Sequence, residues 1–237
     1  MRLRETVGKS ETKAPYVRTL FATIADRYDF VTVALSYGQD RRWKRRLVRM
    51  AGPLAGQKAA DLACGTGDIA YLLAEAGADV VGLDLTPRML VLAGRKRPPA
   101  ARAAFVAGDM SDLPFADASF DVVTTGYGLR NVPDLGRSIR EVARVLRRDG
   151  LFLSLDFNRP SNAAVRIVYH GYLTMVGSAL GWMLHGDADT YRYIPESIRC
   201  YPGAPAVVRI LSDHGFSDAR WYPVLGGLMA IHRARRA

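Results

Sequence analysis

Cysteine is scarce in this chain. Cys64 and Cys200 are the two among 237 residues, which excludes a disulfide framework, and their spacing is not that of metal ligands. A reducing compartment follows. The stretch from Met1 to Pro15 is polar and lacks the apolar core of a signal peptide; residues 1–15 read as a mobile N-terminal tail, and the protein as cytoplasmic. Internal repeats and low-complexity linkers are also missing, so residues 16–237 read as one domain, large enough to bury a full core. Acid is in deficit, with 23 Asp and Glu against 33 Lys and Arg, a net charge of +10. That excess favours anionic partners. No nucleic-acid recognition module accompanies it, so nucleic acid is not an expected partner; peripheral contact with an anionic membrane, at its inner face, is. His170 and His185 have no ligand partners at suitable spacing, and no metal is expected.

What the chain does have begins with helical patterns over residues 16–52. Val17, Leu20, Phe21, Ile24 and Tyr28 recur at helical spacing from Tyr16 towards Leu35, and a second helix begins at Asp40. The second carries Arg41-Arg42-Trp43-Lys44-Arg45-Arg46, either a solvated face or an anion contact. Gly52-Pro53 closes this part.

From Lys58 the rhythm becomes strand, helix, strand, which predicts a parallel sheet. The run Ala59-Ala60-Asp61-Leu62-Ala63 leads into Cys64-Gly65-Thr66-Gly67-Asp68 and then a helix. Gly65 and Gly67 permit a sharp turn and close approach of a ligand to backbone N–H groups. The second strand ends at Asp84, before a helix that starts at Thr86-Pro87; an acid there accepts hydrogen bonds from ribose hydroxyls, or else caps the helix. The third strand ends at Asp109-Met110, where the acid can accept from an adenine amine. Three carboxylates, Asp61, Asp84 and Asp109, thus stand on one sheet edge of a basic protein. They would repel a pyrophosphate and suit a cationic nucleoside, which favours S-adenosyl-L-methionine over NAD.

Leu62-Ala63-Cys64-Gly65-Thr66-Gly67-Asp68, Gly82-Leu83-Asp84 and Asp109 with Leu113-Pro114-Phe115 resemble the motifs of class I S-adenosylmethionine-dependent methyltransferases. Three further stretches narrow the resemblance. They are Tyr28-Asp29 with Leu35-Ser36-Tyr37-Gly38 and Arg42-Trp43-Lys44, then Tyr127-Gly128-Leu129-Arg130-Asn131-Val132, and Asp187 to Ile198. Over residues 16–233 the chain is similar to the ubiquinone/menaquinone biosynthesis C-methyltransferases. The resemblance implies a Rossmann-like α/β fold with a seven-stranded, mostly parallel sheet, a C-terminal antiparallel hairpin and a helical lid. It implies methylation of a ring carbon of a lipophilic, polyprenylated quinol, demethylmenaquinol foremost. It places cofactor contacts on Thr66, Asp84, Asp109 and Met110, with Gly65 and Gly67 offering backbone to the methionine end and Asp61 near its amino group. Where the family often has serine this chain has Gly126, and Val31-Thr32 stands where asparagine usually follows Tyr28-Asp29.

The implied chemistry needs a phenolate beside the acceptor carbon, and a phenol titrates near ~10. Arg130 is the cation that would stabilise it, with Asn131 to orient the ring oxygen and Tyr28 to close the site. A literal base role for Arg130 is disfavoured, because guanidinium hardly releases its proton. The alternative is that Arg130-Asn131 caps the helix beginning near Asp134. Two other functions stay open: methylation of another small aromatic metabolite, and a cofactor-binding scaffold of a quinone-biosynthetic assembly.

Ile167 to Leu184 contains no acid, lysine or arginine. Its glycines and polar groups make it too mild for a membrane span, so a lid helix, or a pair of helices, is expected within an insertion at 160–200. An ordinary buried helix would show the same composition. Tyr191, Arg192 and Tyr193 are candidates to line the acceptor pocket, or simple packing residues. Gly226-Gly227 between two apolar runs predicts the closing hairpin. A homodimer is compatible with all of this.

Overall fold

The computed structural model describes residues 10–237. Its centre is one seven-stranded sheet in the order β3-β2-β1-β4-β5-β7-β6. The strands are β1 (Lys58–Leu62), β2 (Asp79–Asp84), β3 (Ala103–Ala107), β4 (Phe120–Gly126), β5 (Leu146–Phe157), β6 (Phe216–Val224) and β7 (Met229–Arg236). The first five pair in parallel, and β7 runs antiparallel between β5 and β6. The expected C-terminal hairpin is present and turns through Leu225–Gly227.

The central strands are apolar on both faces because helices cover both. Val122 and Leu153 point into one layer with Leu47 and Leu73, whereas Val123 and Phe152 point into the other with Ile139 and Val142. That is the period-2 alternation of a strand sorting its neighbours onto opposite faces. Strand order reverses between β1 and β4, so their carboxyl ends diverge and leave a crevice at the switch point. The glycine turn opens there.

Helices α1 (Ser10–Ile24), α2 (Tyr28–Leu35) and α3 (Asp40–Arg49) precede the sheet. Two expectations are corrected here. Residues 10–15 are helical rather than a mobile tail, while residues 1–9 lie outside the described residues. The pattern from Tyr16 to Leu35 breaks at a 3-10 turn, Ala25–Arg27, which redirects α2 so that Val31 packs with Leu20, Ile24, Tyr191 and Tyr193. In α3 the basic cluster splits: Trp43 and Lys44 are buried, and Arg41, Arg42 and Arg45 are exposed.

Between the strands run α4 (Asp68–Glu75), α5 (Pro87–Arg95) and α6 (Leu135–Val145). Asp134 caps α6 by accepting the Arg137 N–H at 2.9 Å, so Arg130-Asn131 does not serve as the cap. The lid is a single helix, α7 (Ala163–His185), which starts at the Asn162 cap and ends at Gly186 with φ of +68°. Its glycines have a packing role. A Cβ on Gly181 would lie 2.5 Å from the Asp187 carbonyl oxygen, and one on Gly177 would lie 3.1 Å from that of Tyr191. Small residues at these two turns let segment 187–191 cross directly beneath the helix. Helices α8 (Tyr193–Cys200) and α9 (Ala204–Asp213) complete the chain before β6. Among the described residues no helix is long and apolar enough to cross a membrane.

Candidate active site

At the switch point the chain turns from β1 into α4 with Gly65 at φ +55° and Gly67 at φ +85°. Gly67 is required twice over, since a Cβ there would also sit 3.0–3.2 Å from Tyr71, Phe105 and Ala93. The Gly65 N–H donates to Asp84 Oδ2 at 2.8 Å, joining the turn to the end of β2. Asp84 Oδ1 accepts the Thr86 N–H at 2.8 Å, so this buried acid also organises the start of α5. Burial raises its pKa against those two hydrogen bonds.

Asp61, at the end of β1, is buried. It accepts from the Ala70 N–H at 3.0 Å and the Thr124 hydroxyl at 2.8 Å. Burial wins over those bonds and over nearby Lys44, and pushes its pKa up to about 7. Thr66 donates its hydroxyl to Asp29 at 2.6 Å and accepts from Lys96 at 2.9 Å. Lys44 lies 2.6 Å from Asp40 and 2.8 Å from Asp68, with the Tyr127 hydroxyl also donating to Asp40 at 2.6 Å. Asp61, Thr66, Asp68 and Lys44 line one small cleft with Tyr28 and Tyr127. Asp109 stands apart at the end of β3, its Oδ1 accepting the Ser111 N–H at 2.7 Å. Met110 is buried in the core beside it, against the turn at Gly128.

A second, much larger cavity of about 650 Å³ opens on the other side of Tyr28 and Tyr127. Its walls come from α1, α2, α7 and the segment after α7. Leu20, Val31, Tyr169 and Leu173 are typical of them, and among the described residues Arg130 is the one charged side chain lining it. Tyr191 and Tyr193, each 1% exposed, line it too; Arg192 turns outward to Asp189.

Arg130 is itself buried. Its Nε is 3.0 Å from Asp156 Oδ1, in contact though not aligned as a hydrogen bond, and its backbone N–H donates to Asp156 Oδ2 at 3.1 Å. The guanidinium lies over the Phe157 ring, 5.0 Å from its centroid, and donates to Asn131 Oδ1 at 2.9 Å and Ser197 Oγ at 3.1 Å. Asn131 does not line the cavity. Its amide donates to the Tyr127 carbonyl at 2.7 Å, and its Oδ1 also accepts from the Tyr193 hydroxyl at 2.8 Å. Sequence reasoning missed Asp156, Ser197 and Lys13, whose ammonium donates to the Arg130 and Val132 carbonyls, as partners of this turn. Only an acid at the end of β5, parallel to the acids ending β1 and β2, hinted at the first of them.

The fold is that of class I S-adenosylmethionine-dependent methyltransferases. A methyltransferase from Thermotoga maritima described as a possible histamine N-methyltransferase superposes with a TM-score of 0.68, at 15% identity, over 93% of this chain and all of that one. A putative methyltransferase from Haloferax volcanii, solved with its Trm112 activator, gives 0.67 at 18% identity, over 91% of this chain and 97% of that one. Sequence carries the assignment further. Residues 8–236 match the ubiE/COQ5 methyltransferase family, and the chain belongs to it. The demethylmenaquinone methyltransferase of Paenarthrobacter aurescens is 38% identical, over 95% of this chain and 88% of that protein. That of Thermus thermophilus is 39% identical over 90% and 98%. The ubiquinone/menaquinone biosynthesis C-methyltransferase UbiE of Roseobacter denitrificans is 39% identical over 96% and 93%.

The protein is thus an S-adenosylmethionine-dependent methyltransferase, and its crevice fits that cofactor. Acid and base stand side by side in the small cleft, as Asp61 and Asp68 with Lys44, which complements a zwitterionic amino-acid end. Buried Asp84 ends β2 and Asp109 follows β3 on the same sheet edge, and among the described residues no arginine lines the small cleft.

Proposed function

We propose that this enzyme methylates a ring carbon of a polyprenylated quinol, with demethylmenaquinol as the acceptor. One observation carries the reading: a cavity of about 650 Å³, lined mostly by apolar and aromatic side chains with Arg130 as its one charge, shares Tyr28 and Tyr127 with the cofactor cleft. An apolar tail fills such a cavity, and a ring hydroxyl of the quinol meets its one cation. The names of the relatives support the same substrate class.

In this reading Asp84 takes the ribose hydroxyls, Asp109 and Met110 the adenine, and Thr66 with the Gly65 and Gly67 backbone the methionine end. Asp61 faces the ammonium. Bound S-adenosylmethionine supplies an activated, electrophilic methyl group. The protein's own task is to seat the acceptor and to sustain a phenolate on it. A buried guanidinium favours the phenolate over the phenol electrostatically, without taking the proton itself. Asp156 holds that guanidinium in place, while Asn131 and Ser197 fix its plane. Asn131 therefore orients Arg130 and Tyr193 rather than the ring oxygen. Burial pushes the Tyr28 phenol up to about 12, so at neutral pH it remains a neutral hydrogen-bond donor in the wall between the two sites.

The acceptor's tail also explains α7. Ile167, Val168, Met175, Trp182 and Met183 are each 68–72% exposed along one side of it. Arg159, Arg166 and Arg199 line a cleft beside Ile167. An apolar stripe flanked by cations suits an anionic bilayer surface better than a second copy of a basic protein. Val165 and Val168 belong both to α7 and to the acceptor cavity, which gives the tail a route from bilayer to site. Cys64 and Cys200 are free, as befits the cytoplasmic side of that membrane.

The test is direct. Purified protein is incubated with methyl-labelled S-adenosylmethionine and a reduced short-chain demethylmenaquinone, and the quinone is analysed by mass spectrometry. Label on the ring carbon, lost with Asp84→Ala, is the expected result. Tight cofactor binding with no transfer to any quinol would overturn the assignment.

A further inference from the structure

The turn that presents Arg130 is fastened from more than a hundred residues away. Lys13, in α1, is buried (9% exposed), and its ammonium donates to the carbonyl oxygens of Arg130 and Val132, both at 2.8 Å. Burying an ammonium is costly unless its hydrogen bonds compensate. Packing alone would be met by methionine at that position, without any desolvation. The burial cost is visible as a pKa brought down to about 8, against a background of Arg130, Asp156 on β5 and Cys200 on α8.

The two carbonyls belong to the residues on either side of Asn131. Within the turn itself the backbone supplies one bond, from the Asn131 N–H to the Gly128 carbonyl at 2.9 Å. Fixing the carbonyls of Arg130 and Val132 brackets Asn131 and limits the directions in which the Arg130 and Asn131 side chains leave the chain. The same helix supplies Leu20, Phe21 and Ile24 to the acceptor cavity. The wall that touches the acceptor and the turn that carries its cation are therefore joined through one side chain.

We propose that Lys13 is a positioning residue for the reaction: its ammonium pins the Arg130–Val132 turn and holds the guanidinium in register with the acceptor. This rests on the reading that Arg130 serves the acceptor's ring oxygen. A misplacement of about 1 Å at a reacting group costs roughly 100-fold in rate, and the loss of two anchoring bonds permits a shift of that order.

The experiment compares the full-length protein with Lys13→Met, Arg130→Met and the double variant. Three quantities are measured: the dissociation constant for S-adenosylhomocysteine, and kcat and KM with a short-chain demethylmenaquinol. Lys13→Met is expected to keep the dissociation constant within about twofold, because the cofactor crevice does not touch Lys13. Its kcat should fall roughly 30-fold while KM changes by less than about threefold. In the Arg130→Met background the same substitution should lower kcat no further, since Lys13 acts through Arg130. Wild-type kcat in Lys13→Met beside a crippled Arg130→Met would overturn this inference alone. So would an equal loss in both backgrounds. An Arg130→Met enzyme as active as wild type would overturn the assignment of Arg130 and this inference with it. Should Lys13→Met fail to fold, Lys13→Gln carries the same test on a shorter donor: lowered kcat at unchanged cofactor affinity supports the role, and wild-type kcat contradicts it.

Discussion

Asp156 grips Arg130 at two points, with one carboxylate oxygen 3.1 Å from its backbone N–H and the other 3.0 Å from Nε. Both side chains are buried, and burial raises the Asp156 pKa even as Arg130 opposes the shift. Removing one member of a buried pair leaves the other uncompensated, at about 3–5 kcal/mol. Asp156→Asn keeps the shape and removes the charge. The expected loss is about 3 kcal/mol of unfolding free energy by urea titration, with kcat lower by roughly 100-fold from the displaced guanidinium. Affinity for S-adenosylhomocysteine should be unchanged, because Asp156 lies outside the cofactor cleft.

Asp61 sets a pH dependence. Its pKa in the folded protein is raised to about 7 by burial, above that of an unfolded carboxyl. Folded protein therefore binds more protons than unfolded protein between about pH 4 and 7, and this group's contribution to stability falls as pH rises through that window. In the proposed site a cofactor ammonium faces Asp61 and favours its ionised form, so binding is expected to release a proton below pH 7. The affinity for S-adenosylhomocysteine is expected to weaken about tenfold from pH 8 to pH 6. Calorimetry in buffers of different ionisation enthalpy should show the released proton at pH 6. Asp61→Asn should bind weakly and with no such slope; a slope that survives the substitution would assign the proton elsewhere.

His232 works in the opposite direction. It is buried between Ser154 at 3.0 Å and the Ala204 carbonyl at 3.3 Å, and burial lowers its pKa to about 4. The unfolded chain binds the extra proton between about pH 4 and 6.5, so stability supplied by neutral His232 is lost as pH falls through that window, by roughly 3 kcal/mol in all. Urea titrations of wild type and His232→Gln should converge by that amount between pH 7 and pH 4.

The exposed stripe on α7 predicts lipid binding. The protein is expected to sediment with vesicles containing phosphatidylglycerol and to remain in solution with phosphatidylcholine alone. Trp182→Glu and Ile167→Glu should abolish sedimentation while leaving the melting temperature within a few degrees, because both side chains already face solvent. A chain that ignores both vesicles but has the mass of a dimer, lost in the same variants, would instead give this face to a second copy.

The central sheet was legible because its information is local. Alternating apolar runs, glycines at a turn and acids at strand ends all speak within ten residues of one another. Asp84 and the Gly65–Gly67 turn could be paired from sequence because a parallel β-α-β unit leaves few other arrangements. The acceptor side was less legible because its contacts are distant. Lys13 looks like any lysine in a polar stretch, and only the folded chain brings it to the carbonyls of Arg130 and Val132. Lys44 sits in a basic run that reads as solvated, yet Asp40 and Asp68 hold it inside. Likewise, the glycines of α7 looked like mildness in an apolar run; two of them are the clearance for segment 187–191.

The most direct test of the account is the dependence of methyl transfer on the acceptor's tail. The cavity of about 650 Å³ is lined mostly by apolar and aromatic side chains, with Arg130 its one charge, and each buried methylene contributes about 0.8 kcal/mol. Demethylnaphthoquinols carrying zero, one and two isoprene units are compared by kcat/KM under reducing conditions. A rise of at least about tenfold is expected on adding the first unit, reduced by Leu173→Lys in the cavity wall. Equal use of the tailless and prenylated quinols would contradict it.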